Sequence, residues 1–274
     1  MIFDIVNLTD DFVREYVVCL EDWQYTCNMI FDPRPQKKWI QKKKKQGLQI
    51  KLAISSTKRP IGMIEYLPIE YSRAKGDRLF FINCLWVHGY EKGVGNNQGK
   101  GIGTSLLRAA ENDAKNKGAI GMAAGGNNHR TLSTWYKGHG YSVVDSMVDL
   151  GAFGLPEFDL LWRPFKDSAV PPQWYRRSKQ LPRVRGKVTL NVFNSGWCPG
   201  RNYLLEGAVR EAMGLGPMVA VNYYDTSDPM ILREWGISDG LFIDGKSFRD
   251  SRPERMKAAL MIRLARISNR EKQT

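Results

Sequence analysis

Residues Gln98 to Thr104 form a glycine-rich run, Gln-Gly-Lys-Gly-Ile-Gly-Thr. An apolar, strand-like segment (Leu79 to Val87) precedes it, and an amphipathic segment with helical spacing (Ser105 to Lys117) follows. Glycine lets the main chain come close to a ligand, and the first turn of a helix presents unpaired N–H groups to an anion. The run therefore predicts a binding site for a phosphate or diphosphate group between a strand and a helix.

The elements that must position this run alternate between strand and helix patterns. Residues 1–165 read as βααβββαβαββ and residues 187–274 as βαβαββα, in which Asp244-Gly245 marks a hairpin turn. Between them, residues 166–186 include Pro171-Pro172 and have the composition of an exposed linker. We predict an α/β (α+β) protein with a mixed central sheet in the first domain and a smaller α/β second domain.

The composition indicates a folded, basic protein with 274 residues, 42% of them hydrophobic, and a formal net charge of +13. No apolar run approaches the roughly 20 residues of a membrane helix, and no secretory signal is recognisable, so we expect a cytoplasmic location without a membrane partner. The four cysteines are scattered, so no metal site is predicted. The basic surface is interpreted as solvated, and nucleic acid is not an expected partner, because no stacking-aromatic motif accompanies the charge.

The glycine-rich run Gln98 to Gly103 and a second segment, Trp135 to Tyr141, resemble two motifs of the GCN5-related N-acetyltransferases (GNATs). The family carries Gln/Arg-x-x-Gly-x-Gly/Ala after its fourth strand, and Gln98-Gly99-Lys100-Gly101-Ile102-Gly103 has this pattern in a strand–loop–helix context. Downstream, Trp135-Tyr136-Lys137-Gly138-His139-Gly140-Tyr141 is similar to the family's aromatic-Tyr-x-x-x-Gly-aromatic segment. A glycine-rich loop alone would also suit a tight turn, so the second motif is what favours the family.

The resemblance implies an N-terminal GNAT fold that uses acetyl-CoA as co-substrate. Trp86 and Val87 would border the gap that takes the pantetheine arm and offers an N–H to the thioester carbonyl. Tyr136 would protonate the departing thiolate. The alternative is that Tyr136 only packs as an aromatic side chain at a helix end. The residues implied to bind the diphosphate are Gln98, Gly99, Lys100, Gly101, Ile102, Gly103 and Thr104.

The chain departs from the family pattern at two places. Ten residues separate Val87 from Gln98, and Tyr90 to Asn97 read as an insertion in the cofactor loop. The position of the family's cofactor-contacting Asn falls on His129, one residue after Asn128. Both residues are therefore candidates for cofactor binding, and His129 could equally be an exposed loop residue.

The general base has to be sought outside the fourth strand. Many GNATs place a glutamate there, but Phe80 to Val87 offers only Asn83 and Cys84. Glu65, on the preceding strand, is the nearest candidate, with Glu70 behind it. The alternative for Glu65 is an outward-facing strand carboxylate. An acyl-cysteine at Cys84 is not expected, because the sequence places no histidine beside it.

In the second domain, Trp197-Cys198-Pro199-Gly200 lies between a strand and a helix. This segment resembles the redox corner of a thioredoxin-like fold, and the second domain thereby resembles that of YoaP-type acetyltransferases. Arg201 occupies the position of the second cysteine, which excludes a dithiol–disulfide cycle within this motif. A helix N-terminus and Arg201 would lower the pKa of Cys198. Mixed-disulfide chemistry, substrate recruitment and a structural turn remain alternatives.

The sequence thus predicts a GNAT domain (residues 1–165), a linker (166–186) and a thioredoxin-like YoaP-type domain (187–274). The predicted activity is direct attack of a primary amine on acetyl-CoA in a ternary complex. The acceptor would be a small-molecule or peptide amine. Two alternatives stay open, namely a non-catalytic acyl-CoA-binding sensor and a protein that depends on the Cys198 thiol. The sequence does not determine the oligomeric state, and a homodimer stays open.

Overall fold

The computed structural model describes residues 2–21, 31–127, 131–147, 158–248, 250 and 252–271. The described residues form two compact units, unit 1 up to Trp174 and unit 2 from Tyr175 onward. None of the described helices is long and apolar enough to cross a membrane. Within the same ranges, no group of three His, Cys, Asp or Glu side chains could hold a metal ion.

Unit 1 is built on a seven-stranded mixed sheet. Its strands are β1 (Phe3–Asn7), β2 (Gln49–Ser55), β3 (Pro60–Pro68), β5 (Leu79–Val87), β6 (Gly121–Asn127), β7 (Ser142–Met147) and β8 (Phe158–Pro164). They lie in the order β1-β2-β3-β5-β6-β8-β7, with β5 and β6 parallel and all other neighbours antiparallel. A separate ribbon pairs β4 (Ala74–Lys75) with β9 (Gln173–Trp174).

The helices described in unit 1 are α1 (Val13–Tyr16), α2 (Arg34–Lys44), α3 (Ile102–Asn116) and α4 (Thr131–Lys137). Helix α1 is shorter than the apolar spacing from Phe12 to Leu20 predicts. Cys19 and Leu20 have φ angles of 57° and 61°, in the left-handed region, so the chain cannot continue as a helix through them.

The core of unit 1 lies between α3 and the sheet. The amphipathic helix predicted after the glycine-rich run is confirmed, because its apolar side chains are buried against the sheet. The buried side chains of α3 include Leu106, Leu107, Ala110 and Ala114, and they pack with Ile64, Tyr66, Ile82 and Met122. This packing places α3 against β3, β5 and β6.

Strands β5 and β6 separate halfway along their length. Their parallel ladder joins residues 79–82 to residues 121–124 and then stops. Beyond it, residues 84–87 pair only with β3 and residues 125–127 only with β8. A bulge in the ladder between β3 and β5 adds to the separation. The sheet therefore contains an opening where main-chain groups of β5 have no partner strand.

Unit 2 contains a four-stranded sheet with helices. Its strands are β10 (Val188–Asn194), β11 (Val219–Asp225), β12 (Gly240–Ile243) and β13 (Lys246–Ser247), in the order β11-β10-β12-β13. Its helices are α5 (Pro199–Met213), α6 (Pro229–Trp235) and α7 (Pro253–Glu271). β10 and β11 are parallel, and the other two pairs are antiparallel. The predicted turn at Asp244 and Gly245 is confirmed, since it joins β12 to β13 with φ angles of 49° and 76°.

The segment predicted as an exposed linker, residues 166–186, is anchored at two positions. Trp174 is buried, and its main-chain N–H and its indole Nε1–H donate to Asp145 Oδ2 and Phe158 O at 2.9 Å and 3.2 Å. Leu181 is buried in unit 2. The prediction of exposure is wrong at these positions, because a proline-rich composition does not show which single apolar side chains find a partner.

Candidate active site

The glycine-rich loop leaves its main chain open at the start of α3. Gly99 and Gly101 have φ angles of 74° and 79°, in the left-handed region that favours glycine. A Cβ atom at either position would meet no heavy atom of the rest of the described chain within 4 Å. The N–H groups of residues 101–104 have no acceptor in the part of the chain that the structure describes. Such a helix start fits the diphosphate of coenzyme A.

The side chains of Gln98 and Lys100 form hydrogen bonds with the segment that precedes the loop. Gln98 Nε2 donates to Val87 O at 3.1 Å. Lys100 Nζ donates to Asn96 O at 2.5 Å and lies 3.4 Å from Asn97 Oδ1. Both side chains thus have partners in the segment before the loop, while the N–H groups of residues 101–104 have none among the described residues.

The insertion that the sequence indicated at residues 90–97 is anchored by a buried pair that sequence reasoning missed. His88 Nε2 lies 3.1 Å from Glu21 Oε2, and both side chains are buried. His88 Nδ1 lies 2.9 Å from Gly95 O, and the Asn97 N–H donates to His88 O at 2.8 Å. No local signal could have identified the pair, since Glu21 is distant in sequence from the insertion.

Helix α4 brings the second predicted motif against the glycine-rich loop. An atom of the Trp135 ring lies 3.4 Å from the position that a Cβ atom would take on Gly103. The Trp135 and His139 rings have their centroids 4.0 Å apart, and His139 Nε2 is 2.9 Å from Thr104 Oγ1. The two motifs that carry the family resemblance are therefore in direct contact.

Tyr136 is buried, with 2% of the residue exposed. Burial raises the pKa of its phenol well above the usual range, so the hydroxyl keeps its proton at physiological pH. Among the described residues, none forms a hydrogen bond with this hydroxyl. Tyr136 can therefore donate its proton to a ligand without breaking a bond to these residues.

Glu65 is a buried carboxylate in β3, with 1% of the residue exposed. It accepts hydrogen bonds from the Tyr16 hydroxyl and from Asn83 Nδ2, the latter at 2.7 Å. Burial raises the pKa of Glu65 to about 7, although these two bonds and the charge of Arg73 oppose the rise. The alternative that Glu65 is an outward-facing strand carboxylate is therefore wrong. The second candidate, Glu70, is exposed. A buried carboxylate with this pKa suits a general base.

Cys84 and Arg73 lie near both Glu65 and Tyr136. Cys84 pairs with Glu65 in the ladder between β3 and β5, and its charge would raise the pKa of Tyr136. Arg73 lowers the pKa of both groups, and its Nη2 lies 3.0 Å from the position of a Cβ atom on Gly125, at the opening of the sheet. The Arg73 guanidinium is 5.0 to 5.7 Å from the ring centres of Phe81, Phe158 and Trp174.

Trp86 and Val87 lie on the β5 side of the opening, where both are half-buried and pair with β3. The structure thus brings these residues, Glu65 and Tyr136 to the part of unit 1 that carries the glycine-rich loop. Asn128 and His129 lie outside the described residues.

In unit 2, Cys198 is the N-cap of α5. Burial raises the pKa of its thiol, and the opposing effect of Arg201 is smaller. The expectation of a lowered pKa is therefore wrong, because desolvation outweighs the nearby positive charge. Arg201 Nη1 is 3.7 Å from Asp239 Oδ2, and the Asp239 carboxylate also accepts from Ser195 Oγ at 2.7 Å.

A sheet that opens between two parallel strands, beside a glycine-rich loop that begins a helix, matches the GNAT fold. The family model described as the acetyltransferase (GNAT) family matches residues 9–141. This part of the chain is therefore a GNAT acetyltransferase domain, and the predicted resemblance of the first domain is confirmed. The match supports acyl transfer as the class of reaction. Among curated protein sequences, no match to the chain is found.

Solved structures of acetyltransferases are similar to this chain at low identity. The IAA acetyltransferase from Bacillus cereus ATCC 14579 is 18% identical over 60% of this chain and 99% of its own, with a TM-score of 0.43. The paia N-acetyltransferase from Thermoplasma acidophilum in complex with coenzyme A is 18% identical over 60% of this chain and 99% of its own, with a TM-score of 0.41. The ribosomal-protein-alanine N-acetyltransferase from Brucella melitensis is 16% identical over 59% of this chain and 99% of its own, with a TM-score of 0.46. Because these scores are below 0.5, the assignment depends on the family model.

Proposed function

We propose that the GNAT domain is an N-acetyltransferase that moves an acetyl group from acetyl-CoA to a primary amine in a ternary complex. One arrangement carries the proposal. Glu65, with a pKa of about 7, and the neutral Tyr136 lie near the same opening of the sheet as a loop with unpaired N–H groups. The acceptor would be a small-molecule or peptide amine, and we propose a cytoplasmic location. A homodimer stays compatible with this proposal.

Acetyl-CoA would supply an activated thioester as the acyl donor. The main chain of residues 98–104 would hold its diphosphate. The half-buried Trp86 and Val87 would border the pantetheine arm, and an N–H group of β5 that lacks a partner strand would bind the thioester carbonyl. Asn128 and His129 remain candidates for a further contact with the coenzyme.

Glu65 would accept the proton that the amine must lose before it can attack. With a pKa of about 7, it is both ionised in a large fraction of molecules at neutral pH and basic enough to take a proton. Tyr16 and Asn83 would orient its carboxylate through their hydrogen bonds. Tyr136 would donate a proton to the thiolate as the thioester bond breaks.

Calorimetry and a thiol-release assay test the proposal on the full chain. We expect coenzyme A and acetyl-CoA to bind, and a panel of small and peptide primary amines to contain acceptors that stimulate thiol release. This release should fall by about 10²- to 10⁴-fold in Glu65→Gln while binding of acetyl-CoA is retained. Binding without turnover across the panel would favour the non-catalytic acyl-CoA sensor. Absence of binding by folded protein would overturn the proposal.

We further propose that residues 187–274 form a thioredoxin-like YoaP-type domain that binds or presents the acceptor, joined by residues 166–186 to a first domain of residues 1–165. The strand order β11-β10-β12-β13, with β10 and β11 parallel, supports this. The raised pKa of Cys198 speaks against a thiolate-dependent function. Slow alkylation of Cys198 near neutral pH, with full activity in Cys198→Ser, is the expected result. Fast alkylation with lost activity would favour the thiol-dependent alternative.

A further inference from the structure

A cavity of about 350 Å³ lies in unit 2, between the β12–β13 hairpin, helix α7 and the chain segment before β10. Its lining consists of Arg183, Asp244, Lys246, Arg263, Arg266 and Ile267. Four of these six side chains are cationic and one is anionic. The cavity is therefore strongly basic, and neither the GNAT domain nor the corner at Cys198 contributes a residue to it.

The one carboxylate among the described lining residues already has partners. Asp244 Oδ1 accepts the main-chain N–H of Thr189 at 2.9 Å, and Oδ2 lies 3.4 Å from Arg263 Nε. Both oxygens thus have partners within unit 2. Asp244 contacts the guanidinium of Arg263, and its single negative charge cannot balance the four positive charges of the described lining.

The remaining cations have no counter-ion in the described ranges of the chain. Arg183, Lys246 and Arg266 form no ion pair or hydrogen bond through their side chains with a described residue. Arg183 lies beside the hairpin turn, because its Nε is 4.0 Å from the position of a Cβ atom on Gly245. Like charges that converge on one cavity repel each other, and a bound anion would relieve this repulsion.

We propose that this cavity binds the phosphate groups of a small phosphorylated molecule. Arginine guanidinium groups bind phosphate oxygens through paired N–H donors, and a lysine adds a compact charge. The cavity volume is near the lower end of the roughly 300–1,000 Å³ that small-molecule sites occupy. A phosphate or diphosphate group therefore fits both the charge and the size.

The lining favours a small molecule over nucleic acid. Single-stranded nucleic acid is bound by a groove that follows the backbone and by aromatic side chains on which bases stack. Among the described residues, this lining contains no aromatic side chain, and its one apolar member is Ile267. The cations also converge on one concavity that brings together a hairpin and a helix.

Calorimetry of the full chain with inorganic pyrophosphate tests the site. We expect Lys246→Met and Arg266→Met each to weaken binding by about tenfold, because each removes one charged donor. Arg266→Lys should fall between Arg266→Met and the parent, since it keeps the charge but loses the paired donors. Arg255→Met is the matched control, because Arg255 is exposed on the same helix and does not line the cavity. All four substitutions are at exposed positions, and equal melting temperatures would show intact folding.

The glycine-rich loop of unit 1 is a second place where pyrophosphate could bind, and Gly101→Val separates the two. We expect the variant to retain pyrophosphate binding that remains sensitive to Arg266→Met. If Gly101→Val abolishes binding, or if Arg255→Met weakens it as much as Arg266→Met does, the cavity proposal is overturned and the proposed acetyltransferase is unaffected. A single-stranded oligonucleotide that binds more tightly than pyrophosphate, with the same sensitivity to Arg266→Met, would also overturn it in favour of nucleic acid.

Discussion

Tyr16 donates a hydrogen bond to Glu65, which joins helix α1 to the middle of β3 through two buried side chains. The bond favours the ionised carboxylate, whereas burial favours the protonated form. Burial is the larger effect, so the pKa of Glu65 rises to about 7. A carboxylate in this state can exchange a proton near neutral pH, which makes Glu65 the most informative residue to change.

Glu65→Gln should lower kcat/KM by about 10²- to 10⁴-fold, the usual contribution of a general acid or base. In the parent, kcat/KM should rise with pH through about 7, because Glu65 acts in its deprotonated form. The same rise should be absent from the residual activity of the variant. Rates of thiol release across this pH range measure both effects. A rise that persists unchanged in Glu65→Gln would assign the titration to another group.

Glu65 should also make the stability of the fold depend on pH. Its pKa rises from 4.5 to about 7 on folding, so the folded protein binds more protons than the unfolded chain between these values. The free energy of unfolding should therefore fall as pH increases through this window, by at most about 3 kcal/mol. Urea denaturation at the two ends of the window measures the change. In Glu65→Gln, the free energy of unfolding should lack this pH-dependent decrease. An identical pH dependence in both proteins would contradict the assignment of the decrease to Glu65.

Tyr136→Phe should lower kcat by about 10²- to 10⁴-fold and leave the melting temperature unchanged, since the change removes a proton donor but no hydrogen bond to a described residue. Tyr141→Phe is the matched control. The Tyr141 hydroxyl donates to Glu111 Oε1 at 3.0 Å, so its removal should cost about 1 kcal/mol of stability and leave kcat unchanged. Equal activity losses in the two variants would remove Tyr136 from the proposed chemistry.

Arg73→Met should shift the pH dependence of kcat/KM to higher pH. The guanidinium lowers the pKa of Glu65, so its removal raises that pKa and leaves less ionised base at neutral pH. Arg59→Met removes an equal charge from an exposed position and should leave the midpoint in place. The midpoint of the pH profile of kcat/KM does not depend on how much active protein each variant yields. An unmoved midpoint in Arg73→Met would show that Arg73 does not act on the titrating group.

Gly101→Ala should weaken binding of coenzyme A by at least about tenfold, because it strains the loop and places a methyl group over its open main chain. Gly118→Ala is a close control. Both glycines have left-handed φ angles, 79° and 86°, and neither has a heavy atom of the described chain within 4 Å of its absent Cβ atom. Each change should cost about 1–2 kcal/mol of stability. Calorimetry should show normal coenzyme binding in Gly118→Ala, and equal weakening in both would point to general destabilisation.

Features encoded by contiguous residues could be predicted from the sequence. Gly99 and Gly101 mark left-handed positions that other residues disfavour, and the apolar spacing after them indicates the buried face of α3. The Asp244-Gly245 turn belongs to the same class. In each case, steric preference or periodicity acts within a few residues and leaves a readable pattern.

The tertiary structure alone decided which polar groups are buried and what they meet. Glu65 has its elevated pKa because the fold buries it, and Tyr16, Asn83 and Arg73, which come from separate parts of the sequence, only partly oppose the rise. The sign of the Cys198 pKa shift was predicted wrongly because the sequence shows a nearby positive charge but does not show the loss of water on burial. Desolvation depends on every atom packed around a group, so the proton chemistry of this protein follows from its fold and not from its motifs alone.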